Sequence, residues 1–497
     1  MNGIQDLLTG TRAVLPRLMG AALLATVPLA HAATLAVQPQ VGEPATKVDL
    51  RGSGMGAFET VELRYDDTSL GVARANAEGA FRADDVEIPA VALPGRRPIA
   101  AVGRSSGTRA TTLFLVRSNW PQFHRGSFRH GEVPHENVLG PDNVARLRLL
   151  WNVPSGLTFD TGSPVVADGM VYILTSDLAQ RGLLLALDAA TGARRWTQPL
   201  RSPTVCETTP AVAQGRVYAP SLGRMTAFDA RTGAVRWRAG TSFCATAMTP
   251  TLADGKLFTT TPDGPNLEAR DPASGRLLWS RRVCTGTPSA CVINEIYAPL
   301  TAGDGAVYVT NSSGGMSAHD ANSGRQLWSR MVGSDIIYGA PVVEGEVVYV
   351  SLAGFAGHGR LHALDRRTGT RLWTAPTGDF NRATPALADG VLYVGSDGSG
   401  LWAIDARTGA LRWRQAAVGA VRTSPAVANG VVYLGAEDGR LYALDARTGT
   451  VLHSIQIAPV GQRLTPSPAV ADGVVYVGTG DRMMAFGLRP GATDTGR

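Results

Sequence analysis

Eight times along this 497-residue chain a proline opens the same short run of residues. The lead prolines are Pro164, Pro210, Pro250, Pro299, Pro341, Pro385, Pro425 and Pro468, spaced 40 to 49 residues apart. The clearest copy runs from Ser424 to Gly449 and reads SPAVANGVVYLGAEDGRLYALDARTG. A period of about 40–45 residues holding several short strands is the mark of a β-propeller, whose units bury their faces against neighbours. An all-β, eight-bladed propeller is therefore expected.

Each unit divides into four strands. The Pro-Ala-Val run is the first. An Asp-Gly or Asn-Gly pair follows, as at Asp389-Gly390 and Asp472-Gly473, and suits a two-residue hairpin turn. Val431 to Leu434 typifies the second strand, and Leu-Tyr-Ala-Leu-Asp the third. The Asp-x-x-Thr-Gly turn that follows lets the Asp side chain accept backbone hydrogens while Gly takes the left-handed conformation. The fourth strand carries a tryptophan four residues after that glycine: Trp196, Trp237, Trp279, Trp328, Trp373 and Trp413. A Trp buries about 150–250 Å², so the regular position predicts a packing role between blades. His453 takes the position in the seventh unit, as a tolerated substitution.

The eighth unit lacks its fourth strand. Leu147 to Val153 has the missing character, and Trp151 lies in it without a repeat ahead of it. This segment is expected to complete blade eight, so that both ends of the module close the ring and no sheet is left open at the seam.

Residues 1–32 read as an export signal. Arg12 and Arg17 precede an apolar stretch from Leu18 to Ala30, and Ala30-His31-Ala32 fits cleavage before Ala33. The stretch is short for a membrane span, and no cysteine follows it as a lipidation site. A periplasmic or secreted monomer is expected. Residues 33–117 alternate apolar and polar positions, as in Thr60-Val-Glu-Leu-Arg-Tyr, and suit a small Ig-like β-sandwich. The propeller then spans 118–488, and 489–497 forms a tail.

The net charge is +6, carried almost wholly by arginine. No run of adjacent basic residues exceeds two, which argues against a nucleic-acid partner. Cys206, Cys244, Cys284 and Cys291 all lie in connections between units. They agree with disulfides in an oxidising compartment, and four cysteines allow three pairings. Their spacings match no zinc pattern.

The string Ala403-Ile-Asp405-Ala-Arg-Thr408-Gly409-Ala-Leu-Arg-Trp413 resembles the tryptophan-docking motif of the pyrroloquinoline quinone (PQQ) repeat family. The lead-in Trp120-Pro-Gln-Phe-His124-Arg-Gly126, with Asn143 to Leu147, is similar to the start of that family. The resemblance covers about residues 119–488 and implies the eight-bladed fold. Some members are quinoprotein dehydrogenases with PQQ and Ca²⁺ in the central funnel; others, of the BamB type, keep the propeller without a cofactor. This chain has no adjacent Cys-Cys pair of the enzyme type, no Cys-x-x-Cys-His site and no lipobox cysteine.

Ligands of propellers meet the loops that enter each blade. Before the lead prolines stand Asp160, Glu207, Asn294, Glu295, Asp335, Asn381, Arg382, Arg422 and Arg463. Acidic residues come from the early blades and arginines from the late ones, an arrangement that holds an anion on one side and a cation on the other. His124, His130 and His135 in the lead-in are expected to be solvent-exposed loop residues rather than metal ligands. The reading for function is an exported, non-enzymatic binding or scaffold module of the cell envelope. Its partner is an envelope protein, a glycan or a small ligand. The alternative is a PQQ-dependent alcohol or sugar dehydrogenase.

Overall fold

The computed structural model describes residues 32–154, 162–176, 182–200, 208–221, 223–240, 249–261, 266–283, 298–354, 358–460, 462, 464 and 466–488. Blades 1 to 8 succeed one another, each four antiparallel strands beginning just after a lead proline, and blade 7 adds the short parallel strand Glu132–Val133. Blade 7 shows why these residues form strands. Its second strand, Val431–Gly435, is buried at every position, as suits a β-branched run covered on both faces. Its outer strand, Val451–Gln456, is only partly covered. The turn between the first two strands has positive φ at Asn429 (44°) and Gly430 (74°), the conformation that Asn-Gly adopts most readily.

Blade 8 closes as the sequence implies. Arg148–Pro154 pairs antiparallel with Arg482–Gly487, and Trp151 stands opposite Ala485 just as Trp413 stands opposite Ala403. The outer strand of the last blade therefore comes from ahead of the first.

The tryptophans join neighbouring blades in one repeated way. Each donates its indole N–H, at 2.9 to 3.2 Å, to a carbonyl in the third turn of the following blade: Trp151 to Ala189, Trp196 to Ala230, and so on to Trp413 with Ala446. Tyr172, Tyr218, Tyr393 and Tyr476 of the second strands donate to the same carbonyls as the tryptophans of their own blades. The indole lies flat on the turn glycine. A Cβ on Gly409 would stand 2.7 Å from a ring carbon of Trp373, so glycine is required there by contact as well as by its φ of 74°.

The seventh junction differs for a structural reason. Blade 8 receives its fourth strand from elsewhere, so it has no third turn and no turn carbonyl to offer. Tyr433 is buried with its hydroxyl unpartnered, and His453 replaces Trp opposite Ala443. Leu139, Val144 and Leu147, from the segment before blade 8's outer strand, share that core instead.

Two further devices bind the ring, neither foreseen from the repeat. The residue before several lead prolines is Ser or Thr, and its hydroxyl accepts the equivalent amide of the preceding blade. Ala340 N–H donates to Thr384, Thr384 to Ser424, Ser424 to Ser467, and Ser467 to Ser163 across the seam, all at 2.8 to 2.9 Å. Thr209 donates to Thr249 in the same way.

The second device is the lead-in, residues 118–136, which laces all eight blades. Trp120 exchanges two backbone bonds with Val166 of blade 1, and Pro121 accepts from Val212 of blade 2. The Gln122 amide pairs with both backbone groups of Leu252. Ser127, Phe128, His130 and Gly131 accept from Ala302, Val343, Leu387 and Val427 of blades 4 to 7. Ser118 is bonded to Asp472 of blade 8. These bonds fall at the middle or end of each innermost strand, so the lead-in seals the channel on the side of the Asp-Gly turns.

The expectation of solvent-exposed histidines is corrected here for His124 and His130. His124 is completely buried, with Nδ1 2.7 Å from the Arg129 carbonyl and Nε2 2.8 Å from that of Pro425. Desolvation drives its pKa down to about 4. His130 is half-buried, with Nε2 2.6 Å from the Val343 carbonyl. Arg129 is buried as well and donates to the carbonyls of Leu300 and Phe123 and to the Thr251 hydroxyl.

Ahead of the propeller, residues 34–116 form sheets of three and five strands around one core that includes Leu50, Leu63, Ile99 and Phe114. Glu43 holds this unit to the lead-in through Arg125 at 2.7 Å.

Candidate functional site

Among the described residues, the channel end opposite the lead-in carries the connections that enter blades 5, 6 and 7 and the loops between the second and third strands of blades 6 and 7. Three connections and two loops bring a set of charges together there. Phe380, Asn381 and Arg382 precede blade 6, Arg422 precedes blade 7, and Tyr338 precedes blade 5. Asp397 and Glu437 come from the second-to-third-strand loops of blades 6 and 7.

Arg422 is held between two acids. Its Nε lies 2.9 Å from Asp397 Oδ2 and its Nη1 2.8 Å from Glu437 Oε1. Arg382 approaches the same Asp397 oxygen at 3.9 Å. Its guanidinium lies over two aromatic rings, 5.1 Å from the Tyr338 centroid and 4.8 Å from that of Phe380. The rings themselves are 5.4 Å apart. A cation over such faces is attracted by the ring quadrupole.

Asp397 is the centre of the set. Burial raises its carboxyl above the usual range even though two arginines pull it down. Its Oδ1 is buried without a hydrogen-bond partner. Asn381 repeats the pattern one step deeper. It is fully buried, its Nδ2 donates to the Leu352 carbonyl at 3.2 Å and to the Thr377 hydroxyl, and its Oδ1 is unpartnered. Two acceptors thus stand unsatisfied near one mouth, where an unpaired buried polar group ordinarily costs about 1–3 kcal/mol.

The structure brings Arg382 and Arg422 together and sets Asn381 beside them. Asp335 lies in the Tyr338 connection, and no hydrogen bond or ion pair joins it to Asp397 among the described residues. Asp160, Glu207, Asn294, Glu295 and Arg463 lie outside the described residues, as do Cys206, Cys244, Cys284 and Cys291. Tyr338, Phe380, Asp397 and Glu437 were not anticipated. The signal available for Asp397 and Glu437 was their place in Ser396-Asp397-Gly398 and Ala436-Glu437-Asp438, loops that face the same mouth as the arginines.

The described part of this mouth does not match a PQQ and Ca²⁺ pair. A planar tricarboxylate needs uncommitted cations, whereas Arg422 is shared between two acids. A hard cation needs several converging oxygens, and among the described residues no group of three or more His, Cys, Asp or Glu side chains is placed to hold a metal ion.

Comparison with known proteins places the repeat. The family described as outer membrane protein assembly factor BamB matches residues 144–375 and 357–494. BamB of Yersinia pestis is 34% identical over 134 residues, 24% of this chain and 33% of that protein. A 1-butanol dehydrogenase (cytochrome c) of Thauera butanivorans is 34% identical over 166 residues, 30% of this chain and 23% of that enzyme. The matched stretches thus span a third or less of these relatives. Among solved structures, a europium-containing methanol dehydrogenase superposes with a TM-score of 0.62 at 15% identity, covering 74% of this chain and 98% of its own. BamB from Moraxella catarrhalis gives 0.52 at 18% identity, covering 69% and 99%. Both likenesses concern the fold.

Proposed function

Starting from a chain that belongs to the PQQ repeat family described as outer membrane protein assembly factor BamB, we propose a non-enzymatic binding or scaffold module of the cell envelope. It receives its partner at the open mouth of a one-ended funnel. The observation that carries this reading is the Arg382–Asp397–Arg422–Glu437 array on its aromatic base. Three connections and two loops, from blades 5, 6 and 7, converge on it, while the far end is sealed by residues 118–136. Arg382, partly exposed and seated on Tyr338 and Phe380, receives an acidic group of the partner. The buried Asp397 Oδ1 and Asn381 Oδ1 accept donors that reach further in. The relative named BamB supports the scaffold role.

The test is a crosslinking capture from envelope extract with wild type and an Arg382→Glu/Arg422→Glu variant of equal stability. Loss of the captured set from the variant supports the reading, and an unchanged set removes this mouth from consideration. The 1-butanol dehydrogenase among the relatives supplies the contrasting reading. Titration with PQQ and Ca²⁺, followed by dye-linked alcohol or aldose oxidation, separates the two. Saturable PQQ binding with turnover overturns the scaffold assignment.

A further inference from the structure

The sealed end of the propeller has a cavity of its own. It measures about 660 Å³ and opens between blades 5 and 6, beside the lead-in. That volume is in the range of small-molecule sites. Its walls are of two kinds. Tyr349, Leu372, Trp373 and Leu387 supply apolar and aromatic surface, and Glu132, Glu344 and Asp389 supply carboxylates. Each carboxylate comes from a different element: the lead-in, the end of blade 5's innermost strand, and the first turn of blade 6.

The basic groups around the cavity are mostly committed. Arg412 is bound to Asp405 at 2.7 Å, and Arg125, which acts on Glu132 from the lead-in, is bound to Glu43. His130 Nε2 lies 3.0 Å from Glu344 Oε2 and 2.6 Å from the Val343 carbonyl. Arg407 stands exposed at the rim. The three carboxylates therefore outweigh the cations that remain available.

We propose that this cavity binds a small organic cation, a primary amine on an aryl or alkyl stem, with the stem against Trp373 and Tyr349 and the ammonium among Glu132, Glu344 and Asp389. The site is independent of the funnel mouth, which lies on the opposite face. Glu132 adds a signature. Burial, with Asp389 and Glu344 beside it, raises its pKa to about 7. An arriving ammonium favours the ionised form, so at neutral pH and below binding releases a proton, and affinity falls as pH drops from 8 to 5.5.

Phenethylamine serves as the probe and 2-phenylethanol as its neutral counterpart, each titrated calorimetrically into the full chain in two buffers of different ionisation enthalpy. The expected result is saturable phenethylamine binding at pH 8 that outlasts 2-phenylethanol by about fivefold or more. Proton release at pH 7 and weaker binding at pH 5.5 are expected with it. Glu132→Gln should abolish the proton release. Asp389→Asn should weaken binding by a similar factor without unfolding, because Asn429 already fills the same turn position in blade 7. No saturable binding at millimolar phenethylamine, equal affinity for the alcohol, or binding that is independent of pH and of both substitutions would overturn the proposal.

Discussion

The two ends of this channel use the same residue types for opposite purposes. At the sealed end, Arg129 and His124 are wholly buried; Arg129 donates to backbone carbonyls and a hydroxyl, and His124 sets its ring between the carbonyls of Arg129 and Pro425. At the open end, Arg382 is partly exposed, and Asp397 and Asn381 each keep a buried oxygen without a partner. A satisfied buried network holds one conformation, whereas an unsatisfied one is a cost that a ligand can remove. The contrast teaches that polar residues in a propeller channel are sorted by what they touch. Their residue type or their nearness to the axis does not sort them.

The largest way to break the contrast is to remove the seal. Deleting residues 118–136 takes away contacts with all eight blades and is expected to abolish a single cooperative melting transition, read by calorimetry. A variant that melts as sharply as the parent would show that the lead-in is an ornament. Next comes the blade junction. Trp413→Ala should cost about 3–5 kcal/mol, whereas His453→Ala should cost much less, because no turn carbonyl faces it; urea denaturation compares the two. Arg129→Met should follow at about 1–3 kcal/mol, since the buried Phe123 carbonyl loses its side-chain donor and the Leu300 carbonyl keeps only the Thr251 hydroxyl. An effect below 1 kcal/mol would mean that water replaces the guanidinium.

The open end should respond weakly in stability. Arg382→Gln is expected to change it by about 0–1 kcal/mol, with its effect appearing in partner capture instead. Asp397 gives a pH signature. Its folded pKa is raised, so the folded state holds its proton more tightly than the unfolded one. Stability then falls as pH rises from the unfolded value of about 3.9 through the folded value. Asp397→Asn should erase that portion of the pH profile, which stability curves from pH 3 to 7 would reveal.

Much of the fold was legible because its determinants are repeated. Trp151 outside any unit pointed to the strand that closes blade 8, and the regular tryptophan position pointed to packing between blades. What was hidden either lacks a repeat or repeats a residue whose role is set by a neighbouring blade. The lead-in binds through backbone groups of Trp120, Ser127 and Gly131, which leave no side-chain pattern. The hydroxyls of Ser163, Thr384, Ser424 and Ser467 read as ordinary loop polarity until their neighbours' amides are seen. At the mouth, Arg382 and Arg422 were marked by position, while Asp397 was missed because it enters from a loop inside its blade. His453 looked like drift, and only the absence of a third turn in blade 8 explains it.

The seam carries a consequence for how such a chain reaches its native state. Ser118 meets Asp472 across 354 residues of sequence, and Arg148–Pro154 waits for Arg482–Gly487. Closing so long a loop carries an entropy cost before any contact repays it, and non-local pairing slows folding. During synthesis the strand that ends blade 8 is made ahead of every blade and finds its partner last. Until residue 487 is made, Trp151's strand has no third strand of blade 8 to pair with, and its exposed apolar face is what a holding chaperone would meet.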